Sequence, residues 1–263
     1  MEISAHSDIL IHWTGQDIEE DSSHFSSRDD AYIQRLKDIL RFGLWMRKQR
    51  NSELLVVNGQ TMPKPQVPRI CFTELKLSMS QDHASLYGAL GVGVKRYYIF
   101  DRLGGPVHYC QFETQNIFFP PYSDVIKDNE ELLSFFKHMC SQRPLNYDLY
   151  NESEWRIVLT ERLLSKMPPD RSALFINPGA ALDGDIKQYY SKLPADKRPD
   201  YLIPLDPWLA VIIYPNLNVK KRSIEDAEIR SLLKKISHRS TVTGCPERGH
   251  YPMEIDLGAC KHF

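Results

Sequence analysis

The 263-residue sequence is short of features that would fix its class at once. Lys and Arg number 33 against 34 Asp and Glu, a formal net charge of -1, so no whole-molecule field marks it as a nucleic-acid binder and any basic surface must be local. Its five cysteines, Cys71, Cys110, Cys140, Cys245 and Cys260, are odd in number and scattered. That excludes a disulfide framework and fits a reducing cytoplasm. The longest apolar run, Trp208 to Tyr214, is far short of the ~20 residues that span a bilayer and suits a buried strand. Met1 to Leu10 lacks the basic start and apolar run of a secretory leader. Gly88, Gly91 and Gly93 lack the strand-turn-helix setting and the downstream acid of a dinucleotide fingerprint, which leaves a turn or a close backbone approach. With neither a repeat nor a linker, one domain is expected over residues 1–263, with its core at about 8–240 and a tail at 241–263.

What is present is ordinary globular composition, 42% apolar and 25% charged, in a chain long enough to bury a sizeable core. Asp8 to Thr14 alternates as a strand, placing Ile9, Ile11 and Trp13 on one face and Leu10, His12 and Thr14 on the other. Ser27 and Asp30 form a capping signature ahead of Ile33, Leu36 and Leu40, and Gly43 is placed to end that helix. A strand at Arg69 to Thr73 and a capped short helix from Ser78, with His83, Tyr87 and Leu90 on one side, come next. Val94 to Asp101 and Pro106 to Phe112 read as strands, and Asn129 to Gln142 as an amphipathic helix. A helix near Asp185 to Leu193, strands at Tyr201 to Ile203 and Trp208 to Tyr214, and a helix capped by Ser223 with Asp226 complete an α+β chain.

The segment Tyr150 to Leu159 carries the most chemistry. Its period of two puts Trp155, Ile157 and Leu159 on an apolar face and Glu152, Glu154 and Arg156 on the other. Two residues of strand rise separate the carboxylates of Glu152 and Glu154 by roughly 7 Å, close enough to stabilise positive charge on a sugar ring, although a surface ion pair is the plainer alternative. Arg47, Lys48 and Arg50, and Lys220, Lys221 and Arg222, are local basic groups suited to phosphate or to solvent. Cys245, His250, Cys260 and His262 have zinc-ligand chemistry without zinc-ligand spacing, so no metal is expected.

Several short motifs occur in a telling order: His12-Trp13-Thr14-Gly15, Leu40-Arg41-Phe42-Gly43-Leu44, Ile70-Cys71-Phe72-Thr73-Glu74-Leu75, Leu86 to Gly93, Pro106 to Tyr109, and Glu152-Ser153-Glu154-Trp155-Arg156. In that order the chain resembles the AbiGi-like abortive phage-resistance family over most of residues 9 to 215, and more distantly the ADP-ribosyltransferase superfamily, including bacterial toxins that modify nucleic acid. The resemblance implies an ADP-ribosyltransferase-like split mixed β-sheet with flanking helices. It implies NAD as a substrate, with His12 and Thr14 at the ribose, Tyr87 stacked on nicotinamide with Tyr97 and Tyr98 as rivals, and Glu154 catalytic with Glu152 as its general base. The implied function is ADP-ribosylation of RNA or DNA by an antiphage toxin held in check by an antitoxin protein. The alternatives are a non-catalytic antitoxin and an RNA-binding module. In that superfamily a first-strand His accompanies a lone Glu and a Glu-x-Glu pair accompanies an Arg, whereas this chain mixes the two.

Overall fold

The computed structural model describes residues 8–20, 27–48, 54–57, 60–74, 77–110, 129–138, 153–237 and 251–262. The first half contains β1 (Ile9–Thr14), α1 (Gln16–Glu20), α2 (Arg28–Phe42), β2 (Leu44–Lys48), a hairpin β3 (Leu54–Val57) and β4 (Gln60–Pro63), β5 (Pro68–Glu74), α3 (Ser80–Tyr87), β6 (Leu90–Lys95), α4 (Arg96–Phe100) and β7 (Gly105–Pro106). There follow β8 (His108–Cys110), β9 (Phe136–His138), β10 (Glu154–Val158), α5 (Glu161–Lys166), α6 (Pro169–Ser172) and α7 (Gly184–Lys192). The last are β11 (Tyr201–Ile203), β12 (Leu209–Tyr214), α8 (Leu217–Glu225), α9 (Ala227–Ser237) and β13 (Met253–Asp256).

The local rules hold well at the start of the chain. Strand β1 alternates: Leu10 enters the main core, while Ile11 and Trp13 join a smaller apolar cluster with Val211 and Ile213 on the opposite face. Helix α2 begins where the Ser27 hydroxyl accepts the Asp30 N–H, and it ends at Gly43, whose N–H still reaches the Ile39 carbonyl and whose φ of 101° turns the chain out of the helix. Its apolar stripe, Ile33, Leu36, Ile39 and Leu40, packs into the main core.

Nine strands form one mixed sheet in the order β11-β2-β5-β1-β6-β12-β13, with β10 also paired to β5 and β7 paired to β10. Pairing is antiparallel except between β12 and β13. Strand β5 determines the shape. Along one edge it pairs with β10 from Arg69 to Thr73. The opposite edge is shared: β1 meets it only at Leu10↔Glu74 and Ile11↔Thr73, and β2 only at Arg47↔Arg69 and Lys48↔Pro68. Beyond Ile11, β1 stays with β6, which it pairs along its whole length. Two half-sheets therefore diverge from a two-residue seam, and among the described residues 70–72 of β5 have no strand partner on that edge.

Four expectations need correction. The strand expected at Val94 to Asp101 is instead β6, which contains Gly91 and Gly93, followed by helix α4. The glycines belong inside the sheet because the second apolar cluster presses on them: a Cβ at Gly93 would lie 2.3 Å from Val211 Cγ1 and 2.4 Å from Ile11 Cδ1. The helix expected at Asn129 to Gln142 is a 3₁₀ turn, Glu130–Phe135, that gives way to β9, paired in parallel with β8; positions 139–142 lie outside the described residues. Ser223 does not cap the last helix. It is buried within α8, and the Asp226 carboxylate accepts the Glu228 and Ile229 N–H groups at the head of α9. The segment assigned to a tail supplies β13, which extends the sheet beyond β12.

Gly93→Ala is expected to destabilise the fold by about 1–3 kcal/mol, the usual range for overpacking a filled site. A chemical-denaturation midpoint would measure this, and an unchanged midpoint would mean that β12 is not held against β6 as described.

Candidate functional site

A cavity of about 1190 Å³ occupies the divergence of β1 and β2, with β5 behind it. His12, Thr14, Tyr87 and Glu154 all line it. Glu152 lies outside the described residues.

His12 crosses the split. Its Nδ1–H donates to the Cys71 carbonyl at 2.9 Å, satisfying a backbone acceptor on the stretch of β5 that lacks a strand partner. Burial lowers the imidazole pKa below its usual value and the nearby Arg35 charge adds to this, against the opposing effect of the hydrogen bond. The ring is thus neutral, and with Nδ1 protonated, Nε2 is an acceptor. Thr14 accepts a 3.1 Å bond from Arg35 Nη1, and Arg35 is held by both oxygens of Asp17, at 2.6 and 3.2 Å. Arg35 has no local sequence signal, because its partners Thr14 and Asp17 lie on β1 and α1, far from it along the chain.

Tyr87 ends α3 half-buried, its ring 6.4 Å from His83 at 21°, and His83 in turn lies 6.3 Å from Trp13 at 16°. This aromatic column braces Tyr87 from β1. The rival tyrosines point elsewhere. Tyr97 is 60% exposed against Trp208, and Tyr98 is buried in the core beneath the Arg102 guanidinium.

Glu154 is buried, so its ion pair is not the solvated surface pair that was the plainer alternative. Its side chain is 7% exposed, and Arg156 grips it through Nε–Oε1 at 2.7 Å and Nη2–Oε2 at 3.0 Å. Lys137, delivered by β9, adds a bond to Oε2 at 3.1 Å. Arg156 also donates to the Ser134 carbonyl. Burial alone would raise the Glu154 pKa, but Arg156 and Lys137 outweigh it and bring the value to about 2. The group is therefore a fixed negative charge and a poor proton acceptor. Glu154 and Arg156 share a strand face opposite Thr73 and Cys71, so the pattern that mattered here was Glu-x-Arg. The Cys71 thiol is pushed up to about 12, chiefly by burial and then by the Glu154 charge, and stays protonated.

The basic groups separate by position. Arg47 and Lys48 line the cavity, joined by Arg69 and Lys197, which the sequence did not single out. Lys220 and Arg222 instead face Asp256 and Asp30 from α8. Arg50, Cys245 and His250 lie outside the described residues. Among those described, no group of three or more His, Cys, Asp or Glu side chains is placed to hold a metal ion. No described helix is long and apolar enough to cross a membrane.

No family model, no curated protein and no solved structure matches this chain. That corrects the functional labels taken from the sequence resemblance. The terms transferase, glycosyltransferase, ADP-ribosyltransferase, NAD, toxin, toxin–antitoxin system, antiviral defence and abortive infection find no support in any relative. The fold itself is a mixed α+β sheet with flanking helices.

Glu154→Gln is expected to cost about 3–5 kcal/mol, because it leaves two buried cations facing a neutral amide. Thermal unfolding would measure this. The wild-type contribution follows from a carboxylate whose pKa falls from its ordinary 4.5 to about 2. It is complete above pH 4.5 and is lost as the pH falls from there towards about 2. A stability curve flat through that window, or a neutral substitution, would show that the pair does not form.

Proposed function

We propose that the cleft between the half-sheets binds a nucleotide-type ligand, with a flat ring on Tyr87, a sugar hydroxyl at His12 and the anionic part towards the basic mouth. One observation carries this: side chains from β1, α3, β5 and β10 that suit those three parts line a single cavity, whose volume of about 1190 Å³ is somewhat above the ~300–1,000 Å³ typical of ligand pockets. Tyr87, braced by His83 and Trp13, offers a platform that loses little rotamer freedom on stacking. The neutral His12 offers Nε2 as an acceptor for a sugar hydroxyl and brings no charge that would compete with Arg35. Glu154 contributes a permanent negative charge beside the sugar position, already balanced by Arg156 and Lys137.

Isothermal titration of the full chain with ADP should give micromolar binding. Tyr87→Ala should weaken it about tenfold, in keeping with ~1–3 kcal/mol for one base stacked on an aromatic ring, while circular dichroism shows the fold retained. His12→Ala should weaken it as well, with a further loss of stability from the unsatisfied Cys71 carbonyl. Absence of binding at millimolar ADP, and equally with other nucleotides and dinucleotides, would remove the nucleotide assignment. Chromatography of the same mixtures for released base would separate a turnover site from a binding module.

A further inference from the structure

Resting on the nucleotide assignment, we propose that Trp45 is a second ring platform on the wall opposite Tyr87, and that the cleft takes two nucleosides joined through phosphate rather than one.

The placement follows from strand geometry. Leu44 and Met46 of β2 enter the main core, so the alternation turns Trp45 to the other face, where it lines the cavity half-buried. Tyr87 reaches the same cavity from α3, through the ring column that ends on Trp13 of β1. Strands β1 and β2 belong to the two half-sheets that diverge from β5. The two rings therefore belong to opposite walls.

The indole is held by its edge. Its Nε1–H donates to the Tyr189 hydroxyl at 3.1 Å, and because that N–H bond lies in the ring plane, the partner occupies the rim and leaves the faces to other groups. The Tyr189 ring meets Trp45 at 6.3 Å and 61°, an edge arrangement, and is itself stacked on Phe42 at 4.1 Å and 15°. Phe42 closes α2 and Tyr189 lies within α7, so two helices fix one indole. This repeats the bracing of Tyr87 by His83 and Trp13. A ring already fixed in place loses little freedom when another stacks on it.

The surroundings suit the same ligand. Leu193 and Pro194, which follow α7, line the cavity and give the Trp45 end apolar edges. Thr14 of β1, Cys71 of β5 and Arg47 of β2 line the cavity from the strands that lead from one wall to the other, a polar path for sugar and phosphate. A volume of about 1190 Å³ exceeds the ~300–1,000 Å³ of ordinary ligand pockets, which accommodates a ligand larger than one nucleotide.

The test is calorimetric titration of the full chain with ADP, a phosphodiester-linked adenosine dinucleoside and its pyrophosphate-linked counterpart, with tryptophan fluorescence read in parallel. At least one linked ligand should bind about tenfold more tightly than ADP, in keeping with one further base stacked on an aromatic ring, and the tighter of the two identifies the linkage. Trp45→Leu should abolish that gain and leave ADP affinity unchanged. Trp45→Phe, which keeps a flat ring, should retain part of it, and equal loss in the two variants would overturn the platform by making Trp45 a packing residue. Tyr189→Phe, which removes the acceptor that aims the indole, should lower affinity for the linked ligand alone. The linked ligand should also quench indole emission in the unaltered protein, and Trp45→Phe should remove that quench. Lys221→Gln, on the exposed face of α8, should change nothing. No gain over ADP from either linked ligand, or a gain that survives Trp45→Leu, would overturn the second platform, while Tyr87-dependent ADP binding would keep the nucleotide assignment. A Trp45-dependent quench by the linked ligands with no dependence on Tyr87 would support the platform and defeat the assignment of the first ring.

Discussion

The architecture turns on one hydrogen bond, from His12 Nδ1 to the carbonyl of Cys71. A sheet that splits leaves backbone groups exposed along the split, and a buried unpaired carbonyl costs about 1–3 kcal/mol. Strand β5 meets this condition where β1 has turned away with β6 and β2 has not yet joined. An imidazole reaching from β1 satisfies the acceptor without closing the gap, as a third strand would. The same bond fixes the tautomer of His12 and so the chemical character it presents to the cavity. Fold and site are in this respect one problem: the sheet can open because a side chain replaces a missing ladder bond.

The charges follow a similar logic. Buried ionic groups are tolerated when each is matched, and this protein matches them in compact sets: Arg102 with Asp206 beneath β11, Arg96 with Glu74 at the seam, and Arg156 and Lys137 with Glu154 at the cavity wall. Glu154 holds β9 to β10 across 17 residues of sequence. Replacing it would act on structure before it acted on any ligand, so a loss of function in such a variant must be read against its stability.

Much of the scaffold was legible in the sequence because it obeys local rules. The Ser27 cap, the Gly43 stop, the alternation in β1, and the apolar strands near Tyr201 and Leu209 depend on residues within a few positions of one another. Elsewhere a distant partner decided between readings or overrode local preference. Of the turn and the close approach that Gly91 and Gly93 left open, the close approach holds inside β6, where Ile11, Val211 and Ile213 occupy the space their side chains would fill. The segment after Asn129 has helical spacing, yet Phe136 to His138 pair with β8. At the site, the residues picked out through the resemblance, His12, Thr14, Tyr87 and Glu154, line one cavity. The partners that decide their chemistry could not be picked out, because Arg35, Lys137 and Arg69 come from α2, β9 and β5 and have no motif of their own.

The placement of neutral and charged groups explains how this cavity stays open although it lies within a sheet. An apolar gap of this size between strands would collapse or fill with side chains, since interiors pack densely. Here Arg69, Cys71 and Thr73 alternate with Ile70 and Phe72 on β5, so the strand buries its apolar residues in the main core and turns polar ones towards the split. Arg35 and Asp17 close one side, and Glu154 with its two cations closes the other, each pair held at short range. The polar walls are therefore what keeps the half-sheets apart, and the volume between them is maintained by the same side chains that would meet a guest.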